Sequence, residues 1–205
     1  MFGVETCHEI HEEKLTWLKP IILQWLRLNR DYIEDCDCRD SLYWYNERAN
    51  ISAFAGATWR SGGFALEEYN AIKGKEETKG KGRVDLYIQY AGHRAVFEAK
   101  QHWLHLSAKQ KQDFTGFISA ACEKSMADVM HTQNSLNHPY GIALNFIPTY
   151  FKKEENVGGS LILFREAVES CDCSFYAWFN NASGKDVISS KKNICNSVAL
   201  IGRLA

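Results

Sequence analysis

Residues 83–90 and 93–101 alternate apolar and polar side chains with period two, and only Ala91-Gly92 separates them. This pattern predicts a β-hairpin closed by a two-residue turn. With Tyr90 facing His93, one face pairs Val84 with Ala99, Leu86 with Phe97 and Ile88 with Ala95, and is wholly apolar. The other face sets Arg83 against Lys100, Asp85 against Glu98, Tyr87 against Val96 and Gln89 against Arg94. A slip of one residue in either strand would turn charges into the core, so the apolar face fixes the register.

That register has an electrostatic consequence. Directly opposed residues have Cβ atoms about 4.5–5.5 Å apart, and two like charges at that distance destabilise a sheet unless something compensates. A divalent cation does so: Mg2+ takes hard oxygen ligands and is commonly held by one or two carboxylates together with substrate phosphate. Lys100 follows Glu98 on the same face, roughly 6.6 Å along the strand. There it can orient an attacking water and, if its pKa is lowered by the cation and partial burial, help to deprotonate it. The same residues also fit ordinary exposed charge pairs, each contributing about 0–1 kcal/mol.

The flanking pattern places the hairpin in an α/β chain. Helical spacing runs over residues 9–29, with Pro20 kinking one helix or opening a second, and a further helix is expected over 41–57. A strand at 64–72 precedes the hairpin, a helix at 107–133 and a strand at 141–147 follow it, and 161–164 and 175–179 read as strands. One domain over residues 1–205 is expected, with an N-terminal helical region at 1–40, a core at 41–147, and strands and a helix at 148–205 completing it.

The 205 residues carry 24 Lys plus Arg and 25 Asp plus Glu, a net charge of −1, which excludes a polybasic nucleic-acid tail as the dominant feature. Positive charge is local instead: residues 73–83 hold five cations, among them Lys73, Lys79, Lys81 and Arg83, with two acids and three Gly, a pattern suited to phosphate contacts or to a solvated turn. No apolar run approaches the roughly 20 residues of a membrane helix, and the first residues lack a secretory pattern, so a soluble cytoplasmic protein is expected.

Seven Cys is an odd number, which favours free thiols over a disulfide framework. The two C-D-C triplets could supply Zn2+ with Cys36, Cys38, Cys171 and Cys173, although structural zinc sites use wider spacing. His8 with His11 and His102 with His105 have helical-face spacing but no zinc-helix context. Trp59-Arg60 and Tyr43-Trp44-Tyr45 could stack on bases, with burial the favoured reading. Nucleophile-elbow, Walker and dinucleotide-binding motifs are absent from the sequence.

The order helix, three-stranded meander, helix, strand, with Asp85 in GRVDLYI and Glu98-Ala99-Lys100-Gln101 in VFEAKQ, resembles the PD-(D/E)XK nuclease superfamily, the restriction-endonuclease-like fold. Val84 stands where that motif has Pro. The resemblance covers about residues 41–147. It implies a restriction-endonuclease-like core with a central mixed β-sheet flanked by helices, and Mg2+-dependent hydrolysis of DNA phosphodiesters, Mn2+ substituting, in restriction, phage defence or repair. Asp85, Glu98 and the Ala99 carbonyl would hold the metal. Glu47 would be the helical acid, with Glu67 or Glu68 as competitors, Lys100 would position water, and Gln101 matches the (D/E)-x-K-Q variant. Such enzymes commonly act as homodimers. A catalytically inactive module of the same fold, binding a protein or nucleic-acid partner, is the alternative.

Overall fold

The computed structural model describes residues 3–73, 80–109, 111–136 and 140–205, with backbone alone at 71–73, 80–81, 131 and 133–136. Among the described residues nine strands and four α-helices run in the order β1 (Val4–Ile10), α1 (Lys19–Asp35), α2 (Glu47–Arg60), β2 (Phe64–Lys73), β3 (Gly80–Tyr90), β4 (His93–Gln101), β5 (Leu104–His105), α3 (Phe114–Leu136), β6 (Gly141–Lys152), α4 (Gly158–Glu169), β7 (Phe175–Asn181), β8 (Asn193–Ile194) and β9 (Ser197–Leu204). The sheet has the order β1-β7-β9-β6-β4-β3-β2, and β5 and β8 add to the far end of β6. Among the described residues only β4–β6 and β5–β6 are parallel, so the sheet is mixed. The parallel pair β4–β6 requires a crossover, which α3 supplies.

Alternation along the strands divides the interior. Phe97 of β4, Leu144 of β6, Ala177 of β7 and Leu200 of β9 face one core with Trp25 of α1 and Phe54 of α2. Trp178 and Ala199, offset by one residue, face the other, with Phe114 and Ile118 of α3 and Phe164 of α4. Helices therefore cover both faces of the sheet, which explains why β6 and β7 are almost continuously buried.

The hairpin forms as its pattern dictates. Ala91 and Gly92 both adopt positive φ (49° and 83°), as a type I′ turn requires, and the ladder runs from Tyr90–His93 to Leu86–Phe97 in the expected register. Every residue of its apolar face is fully buried. Pro20 lies in the first turn of α1, where its missing N–H costs nothing, so it opens a helix after a short 3-10 segment at Glu13–Leu18. α2 begins where the Asn46 side chain accepts the Ala49 N–H at 2.9 Å.

Several expectations are corrected. The N-terminal region is not wholly helical: Val4–Ile10 is an edge strand antiparallel to β7, its alternation interrupted by polar Thr6 and His8. Residues 161–164 lie within α4, because Phe164, Ala167 and Val168 recur at helical spacing and are buried while Ile162 and Leu163 face outward. The helix expected from residue 107 starts at Phe114, and β6 continues to Lys152. His8 and His11 belong to and follow a strand, and His105 lies in β5, so neither His pair occupies a helical face. Cys38 belongs to the α1/α2 core, whereas Cys171 and Cys173 pack against the α3/α4 core across the sheet; the four thiols are not brought together.

Candidate active site

Asp85 marks a break in the meander. The β3–β4 ladder stops at Leu86–Phe97, and the β2–β3 ladder omits the Glu68–Asp85 pair, so the expected direct opposition of Asp85 and Glu98 is absent. If the ladder continued, the Ala99 N–H would bond the Val84 carbonyl, since bonded pairs alternate along an antiparallel hairpin. Instead Asp85 Oδ2 accepts that N–H at 2.8 Å. The strands open here, and a carboxylate fills the opening.

On the other side of Asp85, Glu68 takes φ 49°, a left-handed conformation rare for a residue with a side chain. Both neighbouring acids then engage α2: Glu67 accepts from Ser52 at 2.6 Å, and Glu68 from Arg48 at 2.7 Å. Glu68 also accepts from Arg83 at 2.9 Å, and its hydrogen bond to Arg48 leads the effects that lower its pKa. Arg83, expected to contact phosphate, is thus held by Glu68 in this structure. Lys79 lies outside the described residues, and Lys73 and Lys81 are described only as backbone at the far end of the β2–β3 hairpin.

On the hairpin's polar face, α3 lies over the Glu98–Lys100 end, while Gln89 and Arg94 stay exposed. Glu98 is 4% exposed, and Thr132 Oγ1 of α3 donates to its Oε1 at 2.6 Å. Lys100 Nζ lies 3.0 Å from Asp128 Oδ2, one helical turn before Thr132. Burial opposes the Lys100 charge, but Asp128, reinforced by Glu47 and Asp85, outweighs it and raises the ammonium's pKa. Partial burial is therefore not by itself enough to lower the Lys100 pKa. A raised lysine pKa favours folding below its unfolded value, and the contribution is lost only as pH climbs through the folded value, in the alkaline range.

α2 supplies the remaining groups. Glu47 Oε2 accepts the Gln101 backbone N–H at 3.1 Å, so the helical acid meets the end of β4 directly. Gln101 Oε1 accepts from Asn50 at 3.0 Å, and its amide reaches the Tyr45 carbonyl at 3.5 Å. Asn50 is buried at this contact. The sheet opening, the α2 N-terminus and the α3 face thus bring Asp85, Glu98, Ala99, Lys100, Gln101 and Glu47 to one end of β4. Asp128 and Thr132 were not anticipated. The signal available was their i, i+4 spacing on a helix expected to cross a strand bearing Glu98 and Lys100.

The donor set suits a hard cation, with two carboxylates and a backbone carbonyl, all oxygen. Among the described residues no three or more His, Cys, Asp or Glu side chains gather as a metal cage. A Mg2+ site does not need one, because waters and substrate phosphate complete its octahedron. Replacing Thr132 with Val removes one hydrogen-bond donor from buried Glu98 at constant volume. It is expected to cost about 1–3 kcal/mol in urea unfolding; an unchanged midpoint would show that this hydrogen bond has no net value.

The chain matches no protein-family model and no curated protein. Among the described residues no helix is long and apolar enough to cross a membrane.

Proposed function

We propose that this chain is a Mg2+-dependent nuclease of the PD-(D/E)XK type that hydrolyses DNA phosphodiester bonds, with the region from α2 to β6 as its restriction-endonuclease-like core. The observation that carries the reading is the convergence of Asp85, Glu98, Lys100 and Glu47 at the opened end of β4, on a meander followed by a crossover helix and a parallel strand.

Asp85, Glu98 and the Ala99 carbonyl would hold Mg2+, Mn2+ substituting. When bound, the metal neutralises charge developing on the phosphate and favours ionisation of a coordinated water. The chain's own groups do the rest. Asp85 Oδ2 is fixed by the Ala99 N–H, which orients the carboxylate before any ligand arrives. Lys100, kept as an ammonium by Asp128, donates to the attacking water or to a phosphate oxygen and so aligns attack opposite the leaving 3′ oxygen. Glu47 holds the Gln101 backbone and fixes the strand end on which Lys100 sits.

A second reading, a catalytically inactive module of the same fold, is favoured by one feature: the Lys100–Asp128 ion pair turns the ammonium toward α3. Calorimetric titration with Mg2+ separates the two. Asp85→Asn keeps a carbonyl oxygen for the Ala99 N–H and should stay folded while binding Mg2+ at least about tenfold to a hundredfold more weakly. Wild-type protein that takes up neither Mg2+ nor Mn2+, with or without DNA, would favour the inactive module.

A further inference from the structure

Beyond the end of β4 the chain builds an aromatic cluster that neither core uses. Trp44 comes from a 3-10 turn at Leu42–Trp44, Trp103 from the link between β4 and β5, and Tyr150 from β6. Their ring centroids lie 4.6 Å (Trp44–Trp103), 6.3 Å (Trp103–Tyr150) and 6.4 Å (Trp44–Tyr150) apart, all edge-to-face. His105 joins at 5.1 Å from Tyr150. The large aromatic side chains of the two cores, such as Trp25, Trp178 and Phe97, are at most 1% exposed, but Trp103 is 39% exposed and neighbouring Tyr45 is 53% exposed. A Trp held on edge by two other rings has little rotational freedom left to lose when a planar ligand covers it.

Position gives the cluster its partner. Lys100 pairs with Asn145 on β6, and His105 with Tyr150, so the platform lies five residues further along one strand, roughly 17 Å from the candidate active site. That is the length of about five nucleotides stacked at 3.4 Å. Tyr45 joins the two regions, since its carbonyl accepts from Gln101. Lys152 and Lys153 continue past Tyr150, exposed and without an ion pair among the described residues. Among the described residues Glu155 lies 4.0 Å from His105, and Asp40 accepts from the Tyr45 hydroxyl. Exposed rings followed by unpaired lysines match what unpaired nucleotides require: faces to stack on and cations to follow the backbone. A paired duplex hides its base faces and cannot use the rings.

We infer that Trp103, supported by Trp44 and Tyr150, is a base-stacking platform for single-stranded or splayed DNA running into the site at Lys100. This deepens the nuclease reading and rests on it for the identity of the site, but binding to the platform requires no cleavage. The test is fluorescence anisotropy in EDTA with a labelled oligothymidylate of about 12 nucleotides against a mixed-sequence duplex of the same length. The single strand should bind at least about tenfold tighter. Trp103→Ala should weaken it by about five- to a hundredfold, the worth of one stacked base, while Trp103→Phe, which keeps a ring, retains most of the affinity. Equal affinity for strand and duplex, or a Trp103→Ala protein of unchanged melting temperature that binds like wild type, would overturn the inference. Cleavage in Mg2+ is scored separately on the same preparations. Trp103-dependent binding in a protein that never cleaves would uphold the platform and remove the nuclease reading. Cleavage by a protein whose binding does not depend on Trp103 would remove the platform alone.

Discussion

Lys100→Ala is expected to lower Mg2+-dependent cleavage by about 10²–10⁴-fold, the range for losing a positioned proton donor or electrostatic contact at the reacting centre. Nζ is already fixed 3.0 Å from Asp128, and Glu47 and Asp85 add to its retained charge. The loss should fall on kcat rather than KM, since the proposed mechanism has the ammonium act at the reacting phosphate and not along the strand. The variant should remain folded, because Lys100 lies at the margin of the α3 contact and its Asp128 partner is about half exposed. A single-turnover rate within about threefold of wild type would remove Lys100 from the mechanism.

The second large effect concerns the support of the site. Phe97 precedes Glu98, pairs with Leu86 and is fully buried, and its ring meets Phe54 of α2 edge-to-face at 6.1 Å. Phe97→Ala removes that ring from the α1/α2 core and leaves a cavity, at an expected cost of about 3–5 kcal/mol. With a urea slope of about 2 kcal/mol/M, the midpoint should fall by about 2 M. A fall below about 0.5 M would mean that α2 and the sheet close over the gap. In that case α2 would not be held rigidly enough to place Glu47.

Those two residues show where the sequence was legible. Phe97 and the other apolar members of the hairpin announce the register, because only one arrangement buries all of them. Asp85, Glu98, Lys100 and Glu47 were found from that register and from the family resemblance, and the structure draws them to one strand end. The opening of the ladder at Asp85 was not legible: it depends on the left-handed φ of Glu68 and on a side chain replacing a backbone acceptor, neither of which alternation encodes. The burial of Glu98 was missed for a similar reason. A period-two pattern reports one strand's two faces but not what a later helix lays over them, and α3 brings Asp128 and Thr132 from about thirty residues away. Residues 161–164 were mistaken because a short apolar run has no period, and only Ala167 and Val168 downstream identify the helix.

Net charge alone suits a nucleic-acid enzyme poorly, at −1 for 205 residues. On the proposed reading, phosphate affinity would come from a bound cation, from Lys100 and from the lysines of the sequence at 73–81 rather than from the whole surface. Duplex binding without metal should accordingly be weak.

The central claim is metal-dependent hydrolysis at Asp85, Glu98 and Lys100. It is tested most directly by incubating the purified chain with supercoiled plasmid, linear duplex and single-stranded DNA in Mg2+, in Mn2+ and in EDTA, beside Lys100→Ala at equal concentration. Cleavage of at least one substrate in either metal, absent in EDTA and lost in the variant, is the predicted result. No cleavage of any substrate, or cleavage that persists in EDTA or in Lys100→Ala, would contradict it.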